Sequence, residues 1–114
     1  MSDCLFCRIA SGEIPAKIVH QDDAVVAFRD INPQAPTHLL VIPRRHLVSL
    51  AGAGAGDDPL IGRLFRTAAE IADREGIAGN GFRVVANAGD WAGQTVPHLH
   101  VHLLGGRRMA WPPG

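Results

Sequence analysis

The chain has 114 residues, of which 46% are hydrophobic and 19% are charged, and its 11 basic and 11 acidic side chains leave a formal net charge of zero. This length and composition predict one globular domain over residues 1–114 that needs no disulfide to fold. Without a basic surplus, we expect neither nucleic-acid coating nor adhesion to anionic membranes. The chain starts without a signal-peptide pattern and its apolar runs are too short to span a bilayer, so we expect a cytoplasmic protein.

The first half of the chain predicts a short helix and three strands. The segment CLFCRIASGEI, which begins at Cys4, has apolar residues at helical spacing and is ended by Gly12. The short apolar runs AKIVHQ and AVVAFRD, which two aspartates separate, predict a β-hairpin. The run THLLVIP predicts a buried strand that stops at Pro43.

The second half predicts one long helix and two more strands. The small-residue stretch AGAGAGDD predicts a surface connection. It leads into DPLIGRLFRTAAEIADREG, where Leu60, Leu64, Ala68 and Ile71 form one apolar stripe of an amphipathic helix. The segments GFRVVANAG and PHLHVHLLGG predict the last strands. Five strands and two helices without regular alternation predict an α+β fold built on a five-stranded antiparallel sheet.

Three of the six histidines stand at alternate positions, His98, His100 and His102, with Leu99 and Val101 between them. On a strand these rings would share one face and border a pocket or solvent, while the aliphatic side chains pack inside. The outer two α-carbons would lie roughly 13 Å apart, so two neighbouring rings could share a zinc ion but all three could hardly do so. The alternatives to a metal site are histidines that stand on the surface by chance and histidines that take part in catalysis. The regular alternation favours catalysis, in which a neutral central ring attacks while its neighbours orient it and exchange protons.

The segment HLHVHLL fits the pattern His-φ-His-φ-His-φ-φ, and the chain resembles the histidine triad superfamily of nucleotide hydrolases and transferases. The resemblance extends over CLFCRIASG, over EIPAKIVHQDDAVVAFRDINPQAPTHLLVIPRRH and over NAGDWAGQTVPHLHVHLLGGRRMAWPPG, which is nearly the whole chain. The branch of histidine-triad nucleotide-binding proteins is the most similar. That branch implies cleavage of AMP- or GMP-linked 5′-phosphoramidates through a covalent nucleotidyl-histidine. The alternatives are hydrolysis of dinucleoside polyphosphates, or a nucleotide-binding interaction protein with residual catalysis.

The resemblance also implies a role for each matching residue. His100 would be the nucleophile, His98 and His102 would flank the phosphate, and His102 would assist the leaving group. His38 would support the triad by hydrogen bonding, and Asp30 would accept hydrogen bonds from the ribose. The remaining matches form an apolar slot for the purine, Leu5, Phe6, Ile9, Phe28 and Ile31, and a phosphate site, Asn87, Gly93, Gln94 and Thr95.

Cys4 and Cys7 form a C-x-x-C motif, which is half of a common zinc site. The resemblance implies that His46 and His98 complete a Cys₂His₂ set, which would hold a structural zinc ion distant from the chemistry. The alternative is two reduced, partly buried thiols. The sequence contains nothing that looks like an acidic magnesium site, so we expect no catalytic metal.

The resemblance finally implies a homodimer. Two chains would pair through the long helix and the GFRVVANAG strand, which would join their sheets into a continuous ten-stranded sheet. The C-terminal segment GGRRMAWPPG would lie against the neighbouring subunit, near its active site.

Overall fold

The computed structural model describes residues 3–114. Its helices and strands are α1 Leu5–Ala10, β1 Ile18–Gln21, β2 Val25–Arg29, β3 Thr37–Pro43, α2 Asp58–Arg74, β4 Phe82–Val85 and β5 Val101–Gly105. The strands form one sheet in the order β1-β2-β3-β5-β4, and every neighbouring pair is antiparallel. The predicted α+β class and five-stranded antiparallel sheet are therefore confirmed.

Both faces of the sheet are covered, each by one helix. On one face, the apolar stripe of α2 packs against side chains such as Leu39 and Val41 of β3. On the other face, Phe6 and Ile9 of α1 pack against the alternate residues of the same strands. Because β3 is buried on both sides, its sequence is a continuous apolar run rather than an alternating one. Each fully buried leucine or isoleucine contributes about 1.5–3 kcal/mol to stability.

The long helix follows its sequence signals closely. Pro59 stands in its first turn, where a missing N–H is tolerated, and Gly76 takes a positive φ just beyond its end. The AGAGAGDD connection that precedes it folds into two short 3₁₀ turns at 50–52 and 55–57 and is held by an ion pair between Arg45 and Asp57. Among residues 3–114, neither this helix nor α1 is long and apolar enough to cross a membrane.

The last strand begins later than predicted. It starts at Val101, so the first two of the three alternating histidines lie before the strand. Pro97 has no N–H to give, while the N–H groups of His98 and Leu99 donate to the carbonyl oxygens of Val96 (2.8 Å) and Leu47 (2.6 Å). The prediction of a single strand through the whole segment was therefore wrong.

Candidate active site

A cavity of about 1030 Å³ opens beside α1, the end of β2 and the segment that enters β5. It brings together most of the residues predicted for catalysis and nucleotide binding: Leu5, Phe6, Ile9, Phe28, Asp30, Ile31, His38, Thr95, His100 and His102. His98, Asn87, Gly93 and Gln94 are not among the residues that line it. The alternation of side chains thus survives outside the strand, because Leu99 and Val101 are buried in the core while His100 and His102 face the cavity.

The hydrogen bond of the His100 ring decides which nitrogen can react. Nδ1 lies 2.8 Å from the backbone carbonyl oxygen of His98. Since a carbonyl only accepts, Nδ1 must hold the proton, and in the neutral ring the lone pair is then on Nε2. The ring lines the cavity and its exposed fraction is only 5%, and in its neutral form Nε2 is the nitrogen left to react.

A chain of hydrogen bonds fixes the tautomers of His38 and His102 in the same way. The backbone N–H of Gln34 donates to Nδ1 of His38 over 2.9 Å, so the proton of the neutral His38 ring is on Nε2. That Nε2 lies 2.9 Å from Nδ1 of His102, which must accept. The N–H of His102 is therefore on its own Nε2, available to an oxygen atom in the cavity.

The local environment keeps these rings neutral. Burial, together with the neighbouring His100 and His38, lowers the pKa of His102 to about 4, although the carboxylate of Asp30 opposes the shift. Burial also lowers the pKa of His38, although the carboxylate of Asp30 opposes the shift. In the free protein at pH 7 His102 is uncharged. An imidazolium at this position therefore requires a proton that arrives with an anionic substrate, because a nearby negative charge favours the charged form.

The apolar side of the cavity is built by α1 and the end of β2. The ring of Phe6 meets that of His100 edge to face, with centroids 5.1 Å apart, and also packs against Phe28 at 5.5 Å. Leu5 is half-exposed and Ile31 is fully exposed at the rim. A flat apolar ligand could displace water from these surfaces.

The loop before the histidines is held by Gln94. Its side-chain oxygen accepts from the N–H of Gly89 at 2.9 Å, and its amide nitrogen donates to the carbonyl oxygens of Val48 (2.7 Å) and Val96 (3.0 Å). Gly93 has a positive φ of 86°, which favours glycine at this turn. In this conformation Gln94 shapes the loop that presents Thr95 to the cavity, and its side chain is not itself part of the lining.

The four predicted metal ligands come together on the far side of Phe6. Nδ1 of His98 lies 3.3 Å from Sγ of Cys4, 3.5 Å from Sγ of Cys7 and 3.1 Å from Nδ1 of His46. Nδ1 of His46 lies 3.4 Å from Sγ of Cys7, and the four ligand atoms all lie within 4.8 Å of one another. Both cysteines remain outside any disulfide among residues 3–114. We name these four residues the Cys₂His₂ cluster.

A second group of potential ligands, Asp30, His38 and His102, also has its atoms within 4.8 Å of one another. The tautomer of His38 argues against a metal there. Its Nδ1 accepts from the N–H of Gln34, so Nε2 keeps its proton and has no lone pair to offer. The 3.4 Å contact between this Nε2 and the Asp30 carboxylate fits a shared N–H rather than a missing ion.

Several contributors to the site have no signal in the sequence. The carbonyl of His98 and the N–H of Gln34 act through the backbone, which any residue type provides. Lys17 and Arg29 also line the cavity and were not predicted. The only signal available for these two was their position at the ends of the predicted hairpin strands, where many charged residues are merely solvated.

Comparison with known proteins gives consistent results. A family model described as HIT domain matches residues 11–109. The adenylylsulfatase HINT1 of Arabidopsis thaliana is 50% identical over 115 residues, which cover 99% of this chain and 78% of the plant protein. The 14 kDa zinc-binding protein of Brassica juncea is 49% identical over 114 residues, covering 98% and 100% of the two chains. A crystal structure of a HIT family hydrolase from Legionella pneumophila Philadelphia 1 has a TM-score of 0.97 and 49% identity, covering 98% of this chain and 100% of that chain.

Proposed function

The chain belongs to the HIT domain family, the histidine triad superfamily, and on this basis and that of its cavity we propose that it is a nucleotide hydrolase acting on purine nucleoside 5′-phosphoramidates. The observation that carries the proposal is the 2.8 Å hydrogen bond from Nδ1 of His100 to the His98 carbonyl. It leaves Nε2 of a neutral imidazole as the nucleophile in a cavity large enough for a nucleotide.

In the first step, Nε2 of His100 attacks the α-phosphorus of an AMP or GMP conjugate. The bond from phosphorus to the leaving nitrogen breaks and its electron pair stays on that nitrogen. The nitrogen takes up the proton that enters the cavity with the anionic substrate and leaves as the neutral amine. The product on the protein is a nucleotidyl-histidine. The Nε2–H of His102, oriented by His38, donates to a phosphate oxygen or to the leaving nitrogen.

In the second step, water attacks the phosphorus and releases the nucleotide. The bond between phosphorus and Nε2 breaks, its electron pair returns to His100, and the water proton passes to solvent through the cavity. Fixed donors that meet the charge on the phosphate oxygens lower the barrier of both steps. Thr95 at the cavity wall and the loop held by Gln94 would supply such donors, which is supported by the position of Thr95 in the cavity lining.

The nucleoside would be held by Asp30 and by the apolar wall. The Asp30 side chain lies at the cavity and has only 18% of its surface exposed. Its Oδ1 accepts from the N–H of Asn32 at 2.8 Å, which leaves further lone pairs for the two ribose hydroxyls. The purine would lie against Phe6, Ile9 and Phe28, with Leu5 and Ile31 at the rim.

A second candidate substrate is adenylyl sulfate, because the Arabidopsis relative is named an adenylylsulfatase. The same attack by His100 would release sulfate instead of an amine. Sulfate is a stable anion and needs no proton to leave, so this reaction should depend less on His102. Dinucleoside polyphosphates, whose leaving group is also an anion, would behave in the same way.

We further propose that the Cys₂His₂ cluster binds a structural zinc ion. The Nε2–H of His98 donates to the carbonyl oxygen of Pro43 at 2.9 Å, so the neutral ring presents the lone pair of Nδ1 to the cluster. Contacts of 3.1–3.5 Å between the ligand atoms are close to the edges, roughly 3.3–3.8 Å, of a tetrahedron with zinc bond lengths. When bound, the ion would crosslink α1, the segment after β3 and the segment before β5. The zinc-binding name of the Brassica relative supports this assignment.

The proposal is tested by trapping the intermediate. Purified protein is mixed with adenosine 5′-phosphoramidate, quenched rapidly and digested, and the peptide that contains His100 is weighed by mass spectrometry. We expect an added adenylyl group, and a loss of turnover of at least about 10³-fold in His100→Ala. His20→Gln, which removes a histidine outside the cavity, should retain the adduct.

The choice of substrate is tested with the same protein. His102→Ala should slow cleavage of the phosphoramidate more than cleavage of adenylyl sulfate. The absence of any adduct and of any AMP release from either compound, or an adduct on a residue other than His100, would refute the proposed function.

A further inference from the structure

We infer that metal occupancy of the Cys₂His₂ cluster sets the orientation and tautomer of His100 through the backbone of His98. The inference rests on the proposed function for its consequence in catalysis. The resemblance predicts a zinc site distant from the chemistry, but His98 belongs to the cluster and its carbonyl oxygen accepts a hydrogen bond from Nδ1 of His100.

The His98 ring faces away from the substrate cavity and has no exposed surface. Nε2 donates to the Pro43 carbonyl, and Nδ1 meets three cluster atoms at 3.1–3.5 Å. Both ring nitrogens are therefore engaged inside the protein. His98 is the member of the alternating histidines that does not reach the cavity, so it can act on the reaction only through its neighbours.

The backbone of His98 provides that action. Its carbonyl oxygen accepts from Nδ1 of His100. The same peptide plane contains the N–H of Leu99, which donates to the Leu47 carbonyl oxygen over 2.6 Å. Leu47 directly follows His46, another member of the cluster. A short covalent and hydrogen-bonded path thus runs from His46 through Leu47 to the carbonyl that orients His100.

A bound metal ion would remove the repulsion between the ligand atoms of the cluster. The Nδ1 atoms of His46 and His98 lie 3.1 Å apart, and Nδ1 of the neutral His98 ring carries a lone pair rather than a proton. Two lone pairs at this distance repel each other unless a cation or a proton stands between them. With a metal bound, all four ligand atoms are attracted to one centre. Without it, His46 is free to withdraw toward solvent, where its side chain is already exposed, and to take the Leu47 carbonyl with it.

The experiment follows the His100 ring by NMR and needs no substrate. Protein labelled with ¹⁵N is prepared with zinc and after treatment with a chelator, and long-range ¹H–¹⁵N correlations report which ring nitrogen bears the proton. Loss of the His100 signals in His100→Gln assigns them. In the zinc-loaded protein we expect a pure Nδ1–H tautomer. In the chelated protein, and in His46→Gln, losing one hydrogen bond should shift the tautomer ratio roughly fivefold toward Nε2–H.

Matched variants separate positioning from a general loosening of α1. Leu5→Ala alters the α1 wall of the cavity without touching the cluster, so it should raise KM and leave the His100 tautomer unchanged. His46→Cys returns a fourth ligand and should restore both zinc binding and the Nδ1–H tautomer. Turnover should follow the tautomer, with kcat falling in His46→Gln and recovering in His46→Cys.

The possible outcomes are distinct. A His100 ring that keeps its Nδ1–H tautomer and its turnover after zinc is removed refutes the inference and reduces the cluster to a structural crosslink. The inference is also refuted if the wild-type protein binds no zinc. If the tautomer responds to zinc but no adduct forms on His100, the positioning of the ring is supported and the proposed function fails by itself.

Discussion

His102 gives the protein a pH dependence of stability that can be derived from one residue. The unfolded chain takes up a proton at the ordinary histidine pKa of 6.5, whereas burial holds the pKa of folded His102 at about 4. Below pH 6.5 the unfolded state binds more protons, so the free energy of unfolding falls as the pH is lowered toward 4. The contribution of this residue is at most about 3 kcal/mol.

Denaturant unfolding of the wild-type protein and of His102→Gln at several pH values between 7 and 4 measures this effect. The wild type should lose stability more steeply with falling pH than the variant. Some slope should remain in the variant, because burial lowers the pKa of His38 and His98 as well. Two parallel curves would show that His102 is not the residue responsible.

The loss of stability expected from Asp22 lies at lower pH. Burial raises the pKa of its carboxyl, but hydrogen bonds from His20, Ala24, Val25 and Arg63 outweigh burial and hold this pKa well below the ordinary value.

For the three alternating histidines, the sequence predicted which side chains stay out of the core better than it predicted what each of them contacts. His100 and His102 line the cavity because the alternation of polar and apolar residues decides which side chains can be buried in the core. His98 follows the same alternation but lies at the cluster, outside the cavity lining. The difference depends on where α1 crosses the sheet and inserts Phe6 between the two sites. A pattern of alternating residues contains no information about that crossing.

Strand β5 packs closely against Ile77 at Gly105, and this contact allows a prediction about the glycine. A Cβ atom at this position would lie 2.5 Å from Cδ1 and 3.0 Å from Cβ of Ile77. Gly105→Ala should therefore destabilise the protein by about 1–3 kcal/mol, since the strand cannot move away without breaking its pairing with β3 and β4. Thermal or denaturant unfolding gives the measurement.

Two further variants make the packing explanation specific. Ile77→Val removes the closest atom, so Gly105→Ala should be less harmful in that background. Gly62→Ala is the matched control, because its added Cβ meets nothing within 4 Å and the position lies inside α2. It should stabilise the protein by about 0.5–1 kcal/mol. Equal effects of the Gly105 substitution in both backgrounds would contradict a clash with Ile77.

The elements themselves show where sequence patterns are sufficient. Strand β3 has the predicted bounds, because both of its faces are buried and Pro43 ends its apolar run. The ends of helix α2 were predicted equally well, because Pro59 stands in its first turn and Gly76 follows its last turn. The start of β5 was missed because the residues before it keep the strand-like alternation while their N–H groups bond to Val96 and Leu47. Side-chain periodicity does not reveal such local hydrogen bonds.

At the scale of the whole molecule, the site exists only because distant segments meet. The Cys₂His₂ cluster joins residues near positions 4, 46 and 98, and the cavity joins α1, the end of β2 and the entrance to β5. The family resemblance predicted these groupings, since a shared fold brings matching residues to matching places. Composition and spacing alone could predict the sheet but not which of its faces would hold the nucleotide.

The molecule also has surfaces that fit the predicted homodimer. Strand β4 stands at one edge of the sheet, all four of its residues are partly exposed, and Phe65 of α2 is 40% exposed. Pairing of two β4 edges would satisfy backbone groups that otherwise bond to water, and would bring the two α2 helices together in a symmetric interface. We therefore expect the wild-type protein to sediment as a dimer at micromolar concentration.

A charge placed in the predicted interface should separate the subunits. Phe65→Glu puts a carboxylate on the helix surface that two copies would share, and burying it without a partner is costly. We expect this variant to sediment as a folded monomer. Val48→Glu is the matched control, because Val48 is also an exposed apolar residue, at 54%, but lies in the loop after β3 rather than on α2 or β4. Analytical ultracentrifugation of all three proteins decides the question, and a wild type that remains monomeric, or two variants that dissociate equally, would rule out this interface.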